Sequence, residues 1–178
     1  MKKFFGHLLT VLRHKWKVFV HCCKAGIPWR GLWHDMSKFS PTEFVPGVRF
    51  FLGTRSPNEA ERARFGYSFA WMHHKGRNRH HFEYWTDYNP KTKTISPVEM
   101  PVVFVKEMFC DRVAASKIYQ GRNYTEQHPL EYFMKAKGRR IIHPETSDLL
   151  EEWLRLLSEK GEKETFRHIR KIKRNMNR

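Results

Sequence analysis

Histidine and aspartate residues form three short clusters in this chain, and they are the side chains best suited to chemistry. Neutral imidazole and carboxylate groups are the ligands that hold borderline and hard divalent cations. One such pair would say little, but several pairs in segments that form separate helices indicate a metal centre inside a helical bundle. The clusters are His34-Asp35, then His73-His74 with His80-His81, then Asp111.

The first cluster belongs to the motif His-Asp-Met-Ser-Lys, which runs from His34 to Lys38. Adjacent residues on a helix diverge by about 100°, so His34 and Asp35 can share a cation only near a helix end or bend. A carboxylate has two oxygens, which allows Asp35 to bridge two cations. We predict that Asp35 and Lys38 are catalytic and that Lys38 also contacts a substrate phosphate. The alternative is a solvated helix terminus.

The second cluster has two histidine pairs seven positions apart, with a lysine and two arginines between them. So many imidazoles and cations would repel one another unless a metal or an anion occupied the site. Metal binding is therefore favoured over a solvated or RNA-contacting basic turn. We predict His74, His80 and His81 as ligands, although spacing does not decide between the members of each pair. Arg77 and Arg79 are assigned to substrate binding.

Two further ligands are predicted on the first helix and on a late one. His7, His14 and His21 are spaced seven apart, so they lie near one stripe of the helix. His14 stands mid-helix beside apolar residues and is the predicted ligand, with His21 as the alternative and helix packing as the ordinary role. Asp111 lies in an apolar, small-residue-rich stretch typical of a buried helix. A buried carboxylate must be paired or bind a metal; a salt bridge with Arg112 or Lys117 is the alternative, and Glu107 could support the site from one turn earlier.

The elements that position these residues are predicted to be helices. Three Ser-Pro-x-Glu motifs, at Ser40, Ser56 and Ser96, are typical capping boxes that start helices near 41–53, 57–75 and 97–119. Proline is tolerated only in the first turn of a helix, so Pro101 leaves open that the third becomes regular only after that residue. Apolar spacing predicts further helices over 3–25, 129–137 and 145–160. The first of them has its apolar residues at Phe4, Leu8, Leu12, Trp16, Phe19 and Cys23. Gly161 separates the last of these from a basic final helix, and a polar loop with a short hairpin is expected over 87–94. The prediction is one all-α domain over residues 1–178, a single helical bundle with a basic C-terminal helix.

Composition narrows the class of partner. The net charge of +16 and the pI near 10.0 indicate an acidic partner: a phosphorylated substrate, nucleic acid or an anionic membrane face. Part of the excess lies in the tail, in Arg167, Arg170, Lys171, Lys173, Arg174 and Arg178. The tail is either a solvated helix end or a phosphate-binding arm. A content of 40% apolar and 15% aromatic residues excludes a disordered chain.

Cysteine use and hydropathy bear on location. Three cysteines without a Cys-x-x-Cys motif or a disulfide framework are typical of a reduced, cytoplasmic protein. No stretch approaches the roughly 20 apolar residues of a membrane span. The first helix is basic and amphipathic. Such a helix could lie on a membrane surface, but core packing is the commoner use of an apolar face.

In order, these residues resemble the HD-domain superfamily of metal-dependent phosphohydrolases. The chain is most similar to a small, poorly characterised bacterial and phage family of compact HD-like proteins. That family has the patterns His-Asp-x-Ser-Lys, His-His-x-x-x-Asn-x-His-His and Glu-Met-x-x-Asp-x-x-Ala-Ala, which match from His34, His73 and Glu107. The match covers a metal-site core over about 10–120; the C-terminal helices over about 129–178 lie outside it.

The resemblance implies hydrolysis of a phosphoester, for example in a nucleotide, at a centre with two divalent cations. Mn, Fe, Zn, Ni, Co and Mg all remain open. The Gly-Tyr-Pro segment of cyclic-dinucleotide phosphodiesterases is replaced here by Phe82-Glu83-Tyr84-Trp85, which argues against such a substrate. Two alternatives stand beside the hydrolase: a basic helical module that binds nucleic acid, and a di-iron oxygenase, since the superfamily also contains iron oxygenases.

Overall fold

Eight α-helices and one β-hairpin form the regular structure of residues 1–172, which are the residues that this computed structural model describes. The all-α prediction is confirmed. The helices are α1 (Lys2–Lys24), α2 (Pro28–Trp33), α3 (Pro41–Arg49), α4 (Pro57–Phe65), α5 (Phe69–Arg77), α6 (Val102–Gln120), α7 (His128–Met134) and α8 (Pro144–Lys171). The strands are β1 (Thr86–Asn89) and β2 (Thr94–Pro97), and 3₁₀ helices cover Met36–Phe39, Phe82–Tyr84 and Gly121–Asn123.

The apolar core lies where α6 packs against α1, α7 and α8. Phe109 of α6 meets the rings of Trp153 and Phe166, both on α8, edge to face. α6 is buried over most of its length because apolar residues surround it, as expected from the stretch around Asp111. This buried helix carries Glu107 and Asp111 to the centre of the molecule.

α1 turns a different face inward from the one that its apolar residues suggested. Its buried residues are His7, Val11, His14, Val18, His21 and Cys22. By contrast, Leu12 and Trp16 are exposed, so the expectation of core packing is wrong for them. His14 and His21 are buried in this stripe opposite polar groups of α6. His7 packs instead against Phe44 and Gly47 of α3.

The predicted helix starts are only partly right. α3 and α4 begin directly after Ser40 and Ser56 as expected, with proline in the first turn. Neither serine side chain makes the cap hydrogen bond, so the capping boxes are wrong at both positions. Ser96 does not start a helix, because it lies in β2, which pairs with β1. The third helix begins at Val102, directly after Pro101, where the sequence left open that it becomes regular.

The predicted helix over 57–75 is two helices. Gly66 has a positive φ of 80° and ends α4, a conformation that favours glycine. Ser68 then caps α5 by accepting a hydrogen bond from the backbone amide of Trp71 (3.0 Å). The break turns α5 so that it packs against α3.

The remaining local predictions fare better. The expected hairpin is present, with Asn89 Oδ1 accepting a hydrogen bond from the amide of Lys91 in its turn (3.0 Å). Gly161 has non-helical angles (φ 75°, ψ 172°), so α8 is kinked where a separate basic helix was predicted to begin. Of the basic tail, Arg167 pairs with Glu164, whereas Lys173, Arg174 and Arg178 lie outside the described residues. None of the helices in residues 1–172 combines the length and apolar composition that a bilayer span requires.

Candidate metal centre

The His34-Asp35 pair sits at a bend rather than within a helix. α2 ends at Trp33, and Asp35 adopts the left-handed conformation (φ 52°, ψ 33°) before the 3₁₀ helix Met36–Phe39. Lys15 secures this end by donating to the backbone carbonyl oxygens of Leu32 (2.7 Å) and His34 (2.8 Å). The bend turns both neighbouring side chains into the interior, where His34 and Asp35 are almost fully buried. A strained backbone of this kind persists only where its surroundings enforce it.

One group of potential ligands joins α1, the bend and α6. Nε2 of His14 lies 2.9 Å from Oδ1 of Asp111. Nε2 of His34 lies 3.2 Å from Oδ2 of Asp35 and 3.6 Å from Oδ1 of Asp111. Each of these four residues places a ligand atom within 4.8 Å of the others. They are the residues that the sequence assigned to the first cation, so the structure brings that set together.

A second group joins Asp35 to the histidines around the end of α5. Oδ1 of Asp35 lies 3.4 Å from Nε2 of both His74 and His80. His81 completes the group, with its Nε2 2.9 Å from that of His74. Asp35 therefore belongs to both groups, one oxygen towards each, which is the geometry of a bridging carboxylate.

The structure also separates the members of the first histidine pair. His73 turns away from Asp35, and its Nδ1 donates to Oε1 of Glu43 (2.7 Å). His74 donates from Nδ1 to the other oxygen of Glu43 (2.7 Å), which leaves its Nε2 facing inward. His7 and His21, the other histidines of the α1 stripe, belong to neither group.

Two carboxylates orient the imidazoles from behind. Glu107 accepts a hydrogen bond from Nδ1 of His34 (3.0 Å), lies 3.3 Å from Nδ1 of His80, and also pairs with Arg30. Glu43 does the same for His74. A proton held at Nδ1 leaves the Nε2 lone pair free, which is how metal-binding histidines are commonly oriented. The supporting role expected of Glu107 fits this contact; Glu43 was missed, because its motif was read as a capping box.

Four buried polar atoms at the centre lie close to other potential ligand atoms but make no well-aligned hydrogen bond with any of the described residues. They are Nε2 of His14, Nε2 of His34, Oδ1 of Asp35 and Nε2 of His80. Each buried polar atom without a partner costs about 1–3 kcal/mol. Their clustering around one carboxylate fits a shared cation, which would satisfy them together.

Charge and burial set the protonation of the centre. Burial alone would raise the pKa of Asp35, but His34 and Lys38 hold it well below its ordinary value. Burial would likewise lower the pKa of His34, yet Asp35, Asp111 and Glu107 raise it well above. For His81, burial and the neighbouring imidazoles lower the pKa well below its ordinary value.

A cavity of about 640 Å³ opens onto the centre and reaches His14, Asp35, His74, His81 and Asp111. Lys38 lines it, with Nζ 2.7 Å from Oδ2 of Asp35. Further along, the wall carries four arginines that sequence reasoning did not single out as cavity residues: Arg55, Arg62, Arg112 and Arg140.

Arg77 and Arg79 do not reach this cavity. Both line a separate one of about 500 Å³, on the Glu107 side of His80, together with Trp29 and Trp33. The three residues predicted to bind substrate therefore line different cavities: Lys38 lies beside the metal-ligand groups, and Arg77 and Arg79 line the second cavity.

Comparison with known proteins places the chain in a family. A model of a family of unknown function, DUF5662, matches residues 3–156. The chain belongs to this family. The span that matches DUF5662 contains every residue of both ligand groups. Neither the curated proteins nor the solved structures gave a match.

Proposed function

We propose that this DUF5662 protein is a metal-dependent phosphohydrolase of the HD type, acting on a phosphoester, for example in a nucleotide. The observation that carries the proposal is the set of four buried, unpartnered ligand atoms around Asp35. His14, His34, Asp35 and Asp111 would hold one cation, and Asp35 with His74, His80 and His81 a second. Mixed imidazole and carboxylate donors suit Mn, Fe, Co, Ni and Zn better than Mg, which prefers oxygen ligands alone.

Bound cations would supply the activation of water and the polarisation of a phosphoryl oxygen. The protein's own residues would orient the ligand atoms towards the cations. Glu107 and Glu43 hold three imidazoles with their Nε2 atoms inward, and the bend at Asp35 presents both carboxylate oxygens. Lys38 would neutralise a phosphate. Burial lowers the pKa of its ammonium, but Asp35 and Asp111 raise it by more, so the group is charged.

The cavity wall supports an anionic substrate. Nε of Arg112 is buried without a hydrogen-bond partner. Burial and the charge of Arg112 together lower the pKa of Arg140 to about 10. Both guanidinium groups lie over the ring of Phe133, at 5.9 and 5.2 Å from its centre. An anionic group between them would relieve this repulsion.

The test is elemental analysis of protein purified without added metal, followed by phosphoester turnover with manganese, nickel or cobalt. We expect about two bound transition-metal ions per chain and an activity that a chelator removes. Asp35→Ala should lose both ions and the activity, since both groups share that carboxylate. Asp87→Ala, an exposed change in the hairpin, should keep both. Metal content unchanged in Asp35→Ala would contradict the bridging role, and oxygen consumption during turnover would favour the oxygenase.

One observation favours a second candidate, nucleic-acid binding. Trp29 and Trp33 are exposed beside Arg77 and Arg79, which make no ion pair with the described residues. Exposed rings beside arginines suit stacked bases and phosphates. This function predicts oligonucleotide binding that weakens steeply with salt and survives a chelator, whereas the hydrolase loses activity to the chelator.

We also propose a reducing compartment such as the cytoplasm for this protein. All three cysteines are free, and Cys22 and Cys110 are buried. Thiol titration of freshly isolated protein should find them reduced.

A further inference from the structure

α1 has a second apolar face, opposite the buried one. Phe5, Leu9, Leu12 and Trp16 recur at intervals of four, three and four residues, which places them in one stripe along the helix. Their exposed fractions are 62%, 47%, 47% and 65%. None of them is needed for the core, because the opposite stripe makes the contacts with α6. We call these four residues the outer stripe.

The outer stripe extends onto α2. Lys15 donates to the carbonyl oxygen of Leu32, so the end of α2 lies beside the middle of α1. Leu32 and Trp33 there are also exposed, at 44% and 67%. Exposed apolar side chains gathered on two neighbouring helices in this way mark an interaction site.

The charge around the outer stripe has a single sign. Residues 1–34 contain seven lysines and arginines and no aspartate or glutamate. Lys2, Lys3, Arg13 and Lys17 make no ion pair with any residue in the described part of the chain. Their charges are therefore available to an anionic partner.

This combination selects among the candidate occupants. A second copy would bring its own cations against these, with no carboxylates on α1 for the interhelical salt bridges that support a helix pair. Nucleic acid would use the charges but would leave Leu9 and Leu12 unburied, since its outer surface is phosphate. A bilayer of anionic lipid offers both an apolar layer and negative headgroups, and tryptophan is enriched at that boundary.

We propose that the outer stripe docks the protein on the surface of an anionic membrane, with α1 lying in the plane of the headgroups. The apolar side chains would enter the acyl boundary, and the flanking lysines and arginines would contact the lipid phosphates.

The test is co-sedimentation of the full chain with vesicles of phosphatidylcholine, with and without phosphatidylglycerol. We expect the partition coefficient to be about tenfold higher on the anionic vesicles and to fall with added salt. Leu12→Glu should lower binding to anionic vesicles about tenfold, because it places a carboxylate in the acyl boundary. Ile141→Glu is the matched control, since Ile141 is also an exposed aliphatic residue, at 62%, but lies far along the chain from α1; it should bind as the wild type does.

Several results would overturn the proposal. Equal binding of Leu12→Glu and wild type, or no binding to either vesicle, would remove the outer stripe as a membrane contact. A dimer of the wild type that Leu12→Glu dissociates, seen by sedimentation equilibrium, would assign the face to a second copy. Oligonucleotide binding lost in Leu12→Glu, without vesicle binding, would assign it to nucleic acid. None of these readouts depends on bound metal or on hydrolysis.

Discussion

The two ends of the α1–α6 interface use histidine in opposite ways. At one end His14 faces Asp111, and its buried Nε2, although close to that carboxylate, makes no well-aligned hydrogen bond with any residue in 1–172. Two turns later His21 is buried in the same stripe, but its Nδ1 lies 3.3 Å from the carbonyl oxygen of Cys110 and its Nε2 lies 3.2 Å from Nζ of Lys117. His21 also stacks on Phe166. One imidazole has a full set of protein partners, whereas the other lacks one.

The difference lies in the opposing residue of α6. The residue opposite His14 is Asp111, whose carboxylate lies close to that of Asp35. A cation bound between them would satisfy both carboxylates and the imidazole. The residue opposite His21 is Lys117, which donates a hydrogen bond to Nε2 of the neutral imidazole. Both ring nitrogens of His21 then have a partner, because Nδ1 donates to the carbonyl oxygen of Cys110. The spacing of His14 and His21 along α1 does not distinguish a ligand from a packing residue. The contacts across the interface decide which of the two is a candidate ligand.

Replacing His14 or His21 by alanine should give the largest difference between the two ends of the α1–α6 interface, and the difference should be in metal content. His14→Ala should remove one of the two proposed cations and reduce activity by more than the roughly 10–100-fold typical of losing an outer partner. His21→Ala should keep both cations but lower the free energy of unfolding by about 2–3 kcal/mol, because it leaves a cavity and removes the contacts of His21 with Lys117 and with the carbonyl oxygen of Cys110. Elemental analysis and urea unfolding of both variants measure the two quantities.

Equal metal loss in both variants would break the comparison. It would mean that the whole interface, rather than His14 alone, determines metal binding.

A smaller effect should follow from two glutamates at the two ends of this interface, the buried Glu107 of α6 and the partly exposed Glu162 of α8. Glu107→Gln keeps the shape of a side chain that orients His34 and His80 but removes its charge, so metal affinity should fall about 10–100-fold. Glu162→Gln is the counterpart at the other end, where Glu162 pairs with Lys117 and Lys24. It should leave metal affinity unchanged and cost less than about 1 kcal/mol of stability, since the pair is partly solvated. Competition with a metallochromic chelator measures both affinities; a similar loss in each variant would contradict the role given to Glu107.

The candidate site could be predicted from the sequence where the residue type and its local context together indicate a buried ligand. His34, Asp35 and Asp111 combine ligand types with a helix end or an apolar helix, and those contexts imply burial. The choice of His74 over His73 could not be derived, because it depends on Glu43 reaching across from α3. Glu43 itself was hidden by a motif that usually serves a helix start.

Local structure could be predicted where the signal lies within a few residues. Gly161 interrupts α8 where a break was predicted, and the polar segment around Asn89 forms the predicted hairpin. Tertiary contacts override local signals elsewhere: Ser96 lies in a strand because β1 pairs with it, and Leu12 and Trp16 face outward although their spacing resembles a core stripe. The four arginines of the main cavity come from distant segments, so no local pattern could have grouped them.

The neutral state assigned to His21 can also be tested through the pH dependence of stability. Burial and the positive charge of Lys117 lower the pKa of His21 to about 4, from 6.5 in the unfolded chain. Between these values the unfolded chain holds a proton that the folded chain does not. The free energy of unfolding should therefore decrease as pH falls through this window, with His21 contributing at most about 1.4 kcal/mol per pH unit.

His21→Gln removes the titrating group and keeps a polar side chain of similar length. Urea unfolding of the chelator-treated proteins between about pH 4 and 6.5 should give a shallower slope for His21→Gln than for the wild type. Groups common to both proteins cancel in the difference, so the change in slope reports His21 alone. Identical slopes would show that His21 takes up its proton in the folded chain as readily as in the unfolded one, and the contact with Lys117 would then not keep it neutral.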